Sequence, residues 1–546
     1  MSLPRTLTLP STVPSNTRAG ILIVGGGLGG VAAALAATDA GCRVVLTEET
    51  DWLGGQMTSQ AVPPDEHPWI ERFGRTRRYA ELRERIRAYY RRNFRLSPQA
   101  MSAPFLNPGG GTVSGMCHLP HVSASVMEEM LAPALLSGRL EIVRHAVPIA
   151  VDATEGRLRA VRFLHLDSGR EFEISAAYVL DATELGDLLP LAGIDYVSGA
   201  ESQSETGEPH AVAGPAQPDN VQALTWCFPL AYDPSRRELR EDDRIEPPPS
   251  YAYWRDYVPE LTPRWSGKLF SLCYSKPQTC EPLERPLFPT RTPAEWNFWY
   301  YRRILSRDVF ADADAWSEVT LVNWPQNDFL EGNLIDCEPA RRRELLESAR
   351  QLSLSLAHWL QNEIPRPDGG CGYPGFHLRP DLSGTPDGLA KAPYIRESRR
   401  IRALTTVTEN HIGVEARENR WPDPFDDSVG VGSYRIDLHP SANGRNYIDI
   451  SSYPFQIPLG ALIPRACDNL IAAAKNIGTT HISNGCYRLH PVEWNIGEAA
   501  GALAAFCIGR GLLPRDVRGN RSTLRDFQQL LVRQGVEIQW PVLSER

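Results

Sequence analysis

Two histidines and two arginines have side chains suited to moving a proton or holding an anion. His490 is the first candidate for proton transfer and His481 the second, because an imidazole titrates near neutral pH. Arg488 and Arg396 can each bind a carboxylate through two parallel hydrogen bonds. Structural hydrogen bonds for the histidines and ion pairs with nearby glutamates for the arginines are the alternative interpretations. These candidates need elements that bring them to a ligand.

The first glycine-rich segment lies between a predicted strand and a predicted helix. Residues 21–24 form a short apolar, β-branched run, and the Ala-rich residues 31–40 favour a helix. Between them Gly25, Gly27 and Gly30 satisfy G-x-G-x-x-G. The first glycine permits the turn, the second lets a pyrophosphate approach the backbone, and the third lets helix and strand pack closely. The helix N-terminus then offers free N–H groups to phosphates. The sequence predicts a dinucleotide-binding turn.

An acidic residue completes this unit. Gly41 ends the helix, residues 43–46 are predicted as the second strand, and Glu48 follows that strand eighteen residues after Gly30. A carboxylate there can accept hydrogen bonds from both ribose hydroxyls of an adenosine. A glycine-rich turn in an ordinary βαβ unit is the alternative, but all the expected parts are in register.

Residues 53–58, Leu-Gly-Gly-Gln-Met-Thr, resemble the second glycine turn of the glutathione-reductase-like FAD proteins. In that family the backbone of this turn runs beside the pyrophosphate, the ribityl chain and the flavin, and ordinary NAD dehydrogenases lack it. Residues 178–183 resemble the family's "ATG" strand, and a strand near Val147 would lie along the adenine. The resemblance implies FAD rather than NAD, held non-covalently.

The late strand predicted over 469–474 departs from this family. Related proteins end it in Gly-Asp, whose carboxylate binds the ribityl chain, whereas Lys475 and Asn476 stand here, so Asn476 is the nearest equivalent. A helix beginning within 491–495 would direct its N–H groups at flavin N1 and O2. The full predicted cofactor set is Gly25, Gly27, Leu28, Gly29, Gly30, Glu48, Glu49, Gly54, Gly55, Gln56, Thr58, Val147, Ala182, Thr183, Asn476, Pro491, Val492 and Asn495.

The segments 53–55, 394–401 and 488–501 together resemble the broad FAD-dependent oxidoreductase family that includes bacterial FAD-dependent dehydrogenases. The resemblance covers about half of the chain. It implies an α/β fold with a discontinuous Rossmann-like FAD-binding domain over 19–60, 117–197 and 441–515. An inserted α+β substrate domain would span 61–116 and 198–440, and a helical tail would span 516–546.

Composition limits the partners. A net charge of −9 gives no electrostatic reason to expect nucleic acid or an anionic membrane, so a small molecule is the expected partner. The ten cysteines contain no C-x-x-C pair, and no metal site is predicted.

Residues 1–16 are interpreted as a loose arm without the apolar segment of a signal peptide, and a cytoplasmic location is expected. Residues 72–95, with ten arginines, are interpreted as a solvated amphipathic helix.

The predicted function is the oxidation of a small organic molecule by hydride transfer to flavin N5. The electrons would pass to oxygen or another acceptor. A flavin-dependent reductase of an activated double bond, a monooxygenase and, as a non-catalytic alternative, a flavin-carrying electron-transfer subunit remain open. The sequence leaves the substrate, the acceptor and the oligomeric state undetermined.

Overall fold

A computed structural model describes residues 3–13, 16–236, 238–265, 267–290, 296–418 and 420–541. Residues 542–546 of the predicted tail lie outside the described residues. The strands are β1 (Asn16–Val24), β2 (Val44–Thr47), β3 (Leu140–Val143), β4 (Ala146–Thr154), β5 (Arg157–His165), β6 (Glu171–Asp181), β7 (Tyr196–Val197), β8 (Leu224–Thr225), β9 (Phe228–Tyr232), β10 (Cys273–Ser275), β11 (Pro282–Glu284), β12 (Arg303–Leu305), β13 (Glu318–Val322), β14 (Asp328–Phe329), β15 (Phe376–Leu378), β16 (Arg400–Ile401), β17 (Ser428–Gly432), β18 (Ile436–Leu438), β19 (Ile448–Ile450), β20 (Phe455–Pro458) and β21 (Leu470–Ala472).

The helices are α1 (Leu28–Asp39), α2 (Arg77–Asn93), α3 (Pro98–Ser102), α4 (Pro120–Leu136), α5 (Leu188–Leu191), α6 (Gln203–Thr206), α7 (Tyr251–Asp256), α8 (Phe298–Tyr301), α9 (Pro339–Asn362), α10 (Pro380–Ser383), α11 (Glu409–Ile412), α12 (His481–Tyr487), α13 (His490–Arg510), α14 (Pro514–Gly519) and α15 (Arg521–Arg533). No helix of the described residues is long and apolar enough to cross a membrane.

The largest sheet has the order β3-β2-β1-β6-β5-β4, and β21 also pairs with β6. β3, β2, β1, β6 and β21 are parallel, whereas β4 and β5 form an antiparallel arm. The carboxyl ends of β1, β2 and β6 are in register, since Val24 pairs with both Thr47 and Asp181. Ligands of open parallel sheets bind at this edge, so the sheet places the predicted glycine turn where a cofactor would bind.

Helices α1 and α13 pack together closely because small residues line their contact. A Cβ on Gly497 would lie 2.0 Å from the Gly29 carbonyl oxygen, and one on Gly501 would lie 2.3 Å from that of Ala33. The two helices are buried over most of their lengths. This contact joins the first and last parts of the chain on one face of the sheet.

The middle of the chain forms a second layer. β12, β13, β9 and β15 make a four-stranded antiparallel sheet, and α9 packs near it. Two hairpin-like pairs, β17 with β20 and β18 with β19, join strands on opposite sides of the boundary predicted at residue 441. That boundary separates hydrogen-bonded partners, so it does not follow the structure there.

Two local predictions differ from the structure. Helix α2 is amphipathic as predicted and has an exposed face, but not all of its arginines are solvated. Arg78 contacts Glu498 at 2.5 Å, and Arg83 pairs with Glu66 and Glu71 while its side chain is 2% exposed. Residues 7–12 are not loose either, because the Leu7 N–H donates to Ser125 Oγ and the Thr12 N–H donates to the Ile142 carbonyl. Tertiary acceptors, which local sequence does not reveal, account for both differences.

Candidate functional site

The glycine turn at the end of β1 needs its glycines for different reasons. Gly25 has φ of +99°, and a Cβ there would lie 2.3 Å from the Ala182 carbonyl oxygen. A Cβ on Gly30 would lie 1.9 Å from the Gly25 carbonyl oxygen. Gly27 differs, because its nearest neighbours are the movable carboxylates of Glu184 and Glu493, at 3.3 and 3.4 Å. The backbone at Gly27 is therefore open to a ligand, as a pyrophosphate requires.

A cavity of about 900 Å³ opens at this turn, a size within the range of small-molecule sites. It extends from the ends of β1 and β2 to residues of the middle region, among them Trp226, Arg342 and Lys391. Eight residues of the predicted cofactor set line it: Gly25, Gly27, Glu48, Glu49, Gly55, Val147, Ala182 and Thr183. The structure thus brings segments from three distant parts of the sequence to one cavity.

The remaining predicted cofactor residues are not on its wall. Leu28, Gly29 and Gly30 form the first turn of α1 behind it. Asn476 donates to the Asp181 carbonyl at 3.0 Å, and Asn495 donates to the Val429 carbonyl at 3.3 Å. The other residues outside the wall are Gly54, Gln56, Thr58, Pro491 and Val492.

Glu48 occupies the predicted ribose position but is already held by the protein. Its carboxylate accepts the Gly26 N–H at 2.9 Å, the Thr50 N–H at 2.8 Å and the Thr50 hydroxyl at 2.7 Å. Burial raises the pKa of Glu48 to about 7. These contacts fix the carboxylate at the cavity wall.

A lysine between two glutamates lies beside the glycine turn. Lys475, with a side chain 1% exposed, pairs with Glu184 and lies 3.8 Å from Glu493 Oε2. Glu493 Oε1 accepts the Gly29 N–H at the start of α1, and its other oxygen accepts from Gln56. Burial raises the pKa of Glu493, and Lys475 opposes that shift. The departure from the family's Gly-Asp pattern therefore places a buried cation near the predicted pyrophosphate position.

His490, the first predicted proton carrier, is fully buried. Its Nδ1 accepts the Asp65 N–H at 3.1 Å, and Nε2 lies 3.2 Å from the Val62 carbonyl, to which it can only donate. Burial lowers the pKa of His490 to about 4. The ring is neutral near neutral pH and both nitrogens are occupied, so the geometry supports a positioning role and not proton transfer.

His481 is engaged in a buried ion-pair network. Its Nδ1 lies 2.9 Å from Glu397 Oε1, and Arg400 contacts the same carboxylate at 2.5 Å. Burial alone would raise the pKa of Glu397, but His481 and Arg400 lower it to about 2. None of these three residues lines the cavity. The structure does not bring His481 to the predicted cofactor.

The two predicted arginines belong to a group of contacts that we call the polar ring, formed by Asp328, Arg396, Tyr394, Arg488, Asp437 and His439. Arg396 lies 3.1 Å from Asp328 and 5.1 Å from the Tyr394 ring centroid. Arg488 donates to the Tyr394 hydroxyl at 3.1 Å and lies 3.5 Å from Asp437 Oδ2. His439 Nδ1 lies 2.6 Å from Asp328 Oδ2, and its Nε2 lies 4.0 Å from Asp437 Oδ2.

None of the six polar-ring residues lines the cavity, but one of them is next to its wall in the chain. Tyr394 lies between Pro393 and Ile395, both of which line the cavity, and Tyr394 also lies 3.5 Å from the Gln56 side chain in the second glycine turn. Sequence reasoning missed His439 and Asp328. The only local signal is the Asp-x-His spacing of 437 and 439, which in extended backbone places two ionisable side chains on the same side.

Comparison with known proteins establishes the class. The profile of the FAD dependent oxidoreductase family matches residues 20–531, and the chain belongs to this family. It is therefore an FAD-dependent oxidoreductase enzyme with FAD as its cofactor. The glycine cradle at Gly25 and Gly27 fits that cofactor. No curated protein gives a significant match to the chain.

Solved structures give only distant similarity. One is a geranylgeranyl bacteriochlorophyll reductase-like protein from Thermoplasma acidophilum, with 10% identity, coverage of 96% of this chain and 85% of that one, and a TM-score of 0.33. Another is the anhydrotetracycline hydroxylase OxyS from Streptomyces rimosus, with 12% identity, 95% and 68% coverage, and a TM-score of 0.32. L-proline dehydrogenase from P. horikoshii has 19% identity and a TM-score of 0.18, and the match covers 35% of this chain and only 25% of that one.

Proposed function

We propose that this enzyme oxidises a small organic substrate by hydride transfer to flavin N5 and passes the electrons to oxygen or another acceptor. The observation that carries the proposal is the position of Tyr394: it belongs to the polar ring, lies between two residues that line the cavity, and is 3.5 Å from Gln56 of the second glycine turn. A cofactor in the cavity would lie beside a set of buried side chains that can bind and orient a substrate.

The proposed cofactor-binding domain is Rossmann-like and discontinuous. Its support is the parallel arrangement of β3, β2, β1, β6 and β21, which come from three separate segments of the chain. Gly25, Gly27 and the first turn of α1 would hold the pyrophosphate, and Glu48 the adenosine ribose. The middle region would cover the cavity with Trp226, Arg342 and Lys391.

Bound FAD supplies the electron-accepting chemistry. The protein's part is to hold the substrate near the polar ring and exclude water. Arg488 lies two residues before α13, so its guanidinium and the N-terminus of that helix would both favour negative charge in the same region. Tyr394 orients Arg488 through its hydroxyl.

Anaerobic mixing tests this proposal. The purified holoenzyme is mixed with alcohols, hydroxy acids and amines, and separately with NADPH, while the flavin absorbance near 450 nm is followed. Bleaching by an organic substrate, with peroxide formed when air is readmitted, would support an oxidase, and bleaching without peroxide would support a dehydrogenase. Bleaching by NADPH alone, followed by reoxidation with an activated alkene, would overturn the proposal in favour of a double-bond reductase.

A further inference from the structure

We propose that the polar ring binds a hydroxyl group of the substrate and that His439 accepts the hydroxyl proton. This inference rests on the proposed hydride transfer and names the substrate class for it: a neutral or acidic compound with a CH–OH group. The alcohol would leave as the corresponding carbonyl compound.

The imidazole of His439 is arranged to accept a proton. A carboxylate can only accept hydrogen bonds, so the 2.6 Å contact with Asp328 places the ring proton on Nδ1. Nε2 then carries the lone pair. Its distance of 4.0 Å to Asp437 is too long for a hydrogen bond, and no other described residue gives it a partner. His439 is 17% exposed in its side chain, so Nε2 is accessible to a ligand.

Asp328 is held in the position that this arrangement requires. Its side chain is 2% exposed and accepts the Thr225 hydroxyl at 2.6 Å. Burial alone would raise the pKa of Asp328, but Arg396 and His439 lower it below its ordinary value. The carboxylate therefore stays ionised and orients the imidazole, as in the acid–histidine pairs of other enzymes.

The polar ring also offers donors for an oxygen atom. The Nε atoms of Arg396 and Arg488 are buried and have no hydrogen-bond partner in the part of the chain that the structure describes. A buried donor without a partner is unfavourable, so an acceptor on a ligand would be stabilised there. A hydroxyl oxygen, and then a carbonyl oxygen with growing negative charge, meets that requirement.

The charges of the polar ring favour a hydroxyl over an amine. Its two arginines are balanced by Asp328 and Asp437, so the site has no excess negative charge to attract an ammonium group. An ammonium would also lie near two guanidinium groups. An amine is oxidised as its free base, whereas an alcohol must lose its O–H proton, and His439 provides the acceptor for it.

The substrate C–H bond breaks and its hydride passes to oxidised FAD, which is reduced. The O–H bond breaks and its proton passes to Nε2 of His439, while the C=O double bond forms. The imidazolium later releases the proton to water. The charged and titratable groups next to His439 are Asp328, Asp437 and Tyr447. Arg396 and Arg488 pair with the same two carboxylates.

The test compares His439→Gln with His210→Gln in the holoenzyme. His210 is a matched control because its Nδ1 also lies 2.7 Å from a carboxylate, that of Glu409, and its side chain is 31% exposed. The rate of anaerobic flavin reduction is measured from pH 5 to 10 with benzyl alcohol, cyclohexanol, glycerol and lactate. Benzylamine and cyclohexylamine are the matched amines.

We expect wild type and His210→Gln to be reduced by hydroxyl compounds and His439→Gln to be at least about a hundredfold slower, the usual loss when a general base is removed. The slow variant should regain rate with added imidazole, because the free base replaces the lost proton acceptor. Retained FAD content would show that the variant is folded. If His439→Gln does not retain FAD, Asp328→Asn is compared in the same way, with the same loss expected.

Three results would overturn the inference. One is a flavin-reduction rate for His439→Gln within threefold of the wild-type rate. If Asp328→Asn is used in place of His439→Gln, the same limit applies to it. Another is an equal loss in the His210 variant. The third is bleaching of the wild-type flavin by amines but not by hydroxyl compounds, which would remove the substrate class while leaving the proposed hydride transfer intact. Failure of every organic substrate to bleach the wild-type flavin would instead remove the proposed function, and this inference with it.

Discussion

Replacing Lys475 with Met removes the only positive charge that contacts Glu493 within the described residues. Glu493 is 1% exposed in its side chain and keeps only neutral donors, Gln56 and the Gly29 N–H, after the change. At the 3.8 Å separation of Nζ and Oε2, an effective dielectric constant of about 20 gives an interaction of about 4 kcal/mol. This agrees with the roughly 3–5 kcal/mol lost when one partner of a buried pair is removed.

The expected loss depends on pH. Burial raises the pKa of Glu493 in the folded state, and losing Lys475 raises it further. When the pKa of a carboxyl is higher in the folded than in the unfolded protein, the folded state loses stability as the pH rises from the unfolded pKa towards the folded pKa. The loss is about 1.4 kcal/mol per pH unit. The variant should therefore lose about 4 kcal/mol at pH 8 and less as the pH is lowered, because protonation of folded Glu493 removes the unpaired charge.

Thermal unfolding at a fixed FAD concentration measures this loss. An unfolding entropy of about 2.1 cal/mol/K per residue amounts to roughly 1.1 kcal/mol/K for a chain of this length, so about 4 kcal/mol lowers Tm by roughly 3–4 °C. The double variant Lys475→Met with Glu493→Gln should recover most of the loss, because the fully buried charge is gone and the other partner of Lys475, Glu184, is 28% exposed. An equal decrease at both pH values, unchanged in the double variant, would refute the electrostatic reasoning and indicate a packing defect.

Two glycine substitutions have matched controls. Gly25→Ala should abolish FAD binding in a fluorescence titration, because its Cβ would lie 2.3 Å from the Ala182 carbonyl oxygen. The control Gly41→Ala is also at positive φ (+88°), but its Cβ would have nothing within 4 Å. It should lose about 1–2 kcal/mol of stability and keep FAD. FAD affinity unchanged in Gly25→Ala would contradict the placement of the cofactor. Gly497→Ala should lower Tm because its Cβ would lie 2.0 Å from the Gly29 carbonyl oxygen. The control Gly509→Ala is on the same helix with open space around it, and it should gain up to about 1 kcal/mol of stability. Equal Tm values for these two variants would show that the close contact of α1 and α13 is not required.

The sequence by itself determined the glycine turn and the cofactor. The predicted strand over 21–24 lies within β1, and the Ala-rich stretch forms most of α1. Both predictions depend on the local backbone preferences of β-branched residues and alanine, which a sequence shows directly. Gly25, Gly27 and Glu48, which the sequence predicts to bind the cofactor, line one cavity, since their spacing in one βαβ unit fixes their positions relative to each other. Membership of the FAD dependent oxidoreductase family confirms the cofactor.

Only the tertiary structure decided which ionisable side chains face each other. His439 and Asp328 are 111 residues apart, and nothing local relates them. His490 has the right residue type beside the predicted helix start, but burial and two backbone contacts hold it neutral. The reason is physical: a short motif sets local backbone geometry, whereas the protonation and partners of a buried group depend on desolvation and on charges that folding brings from distant segments.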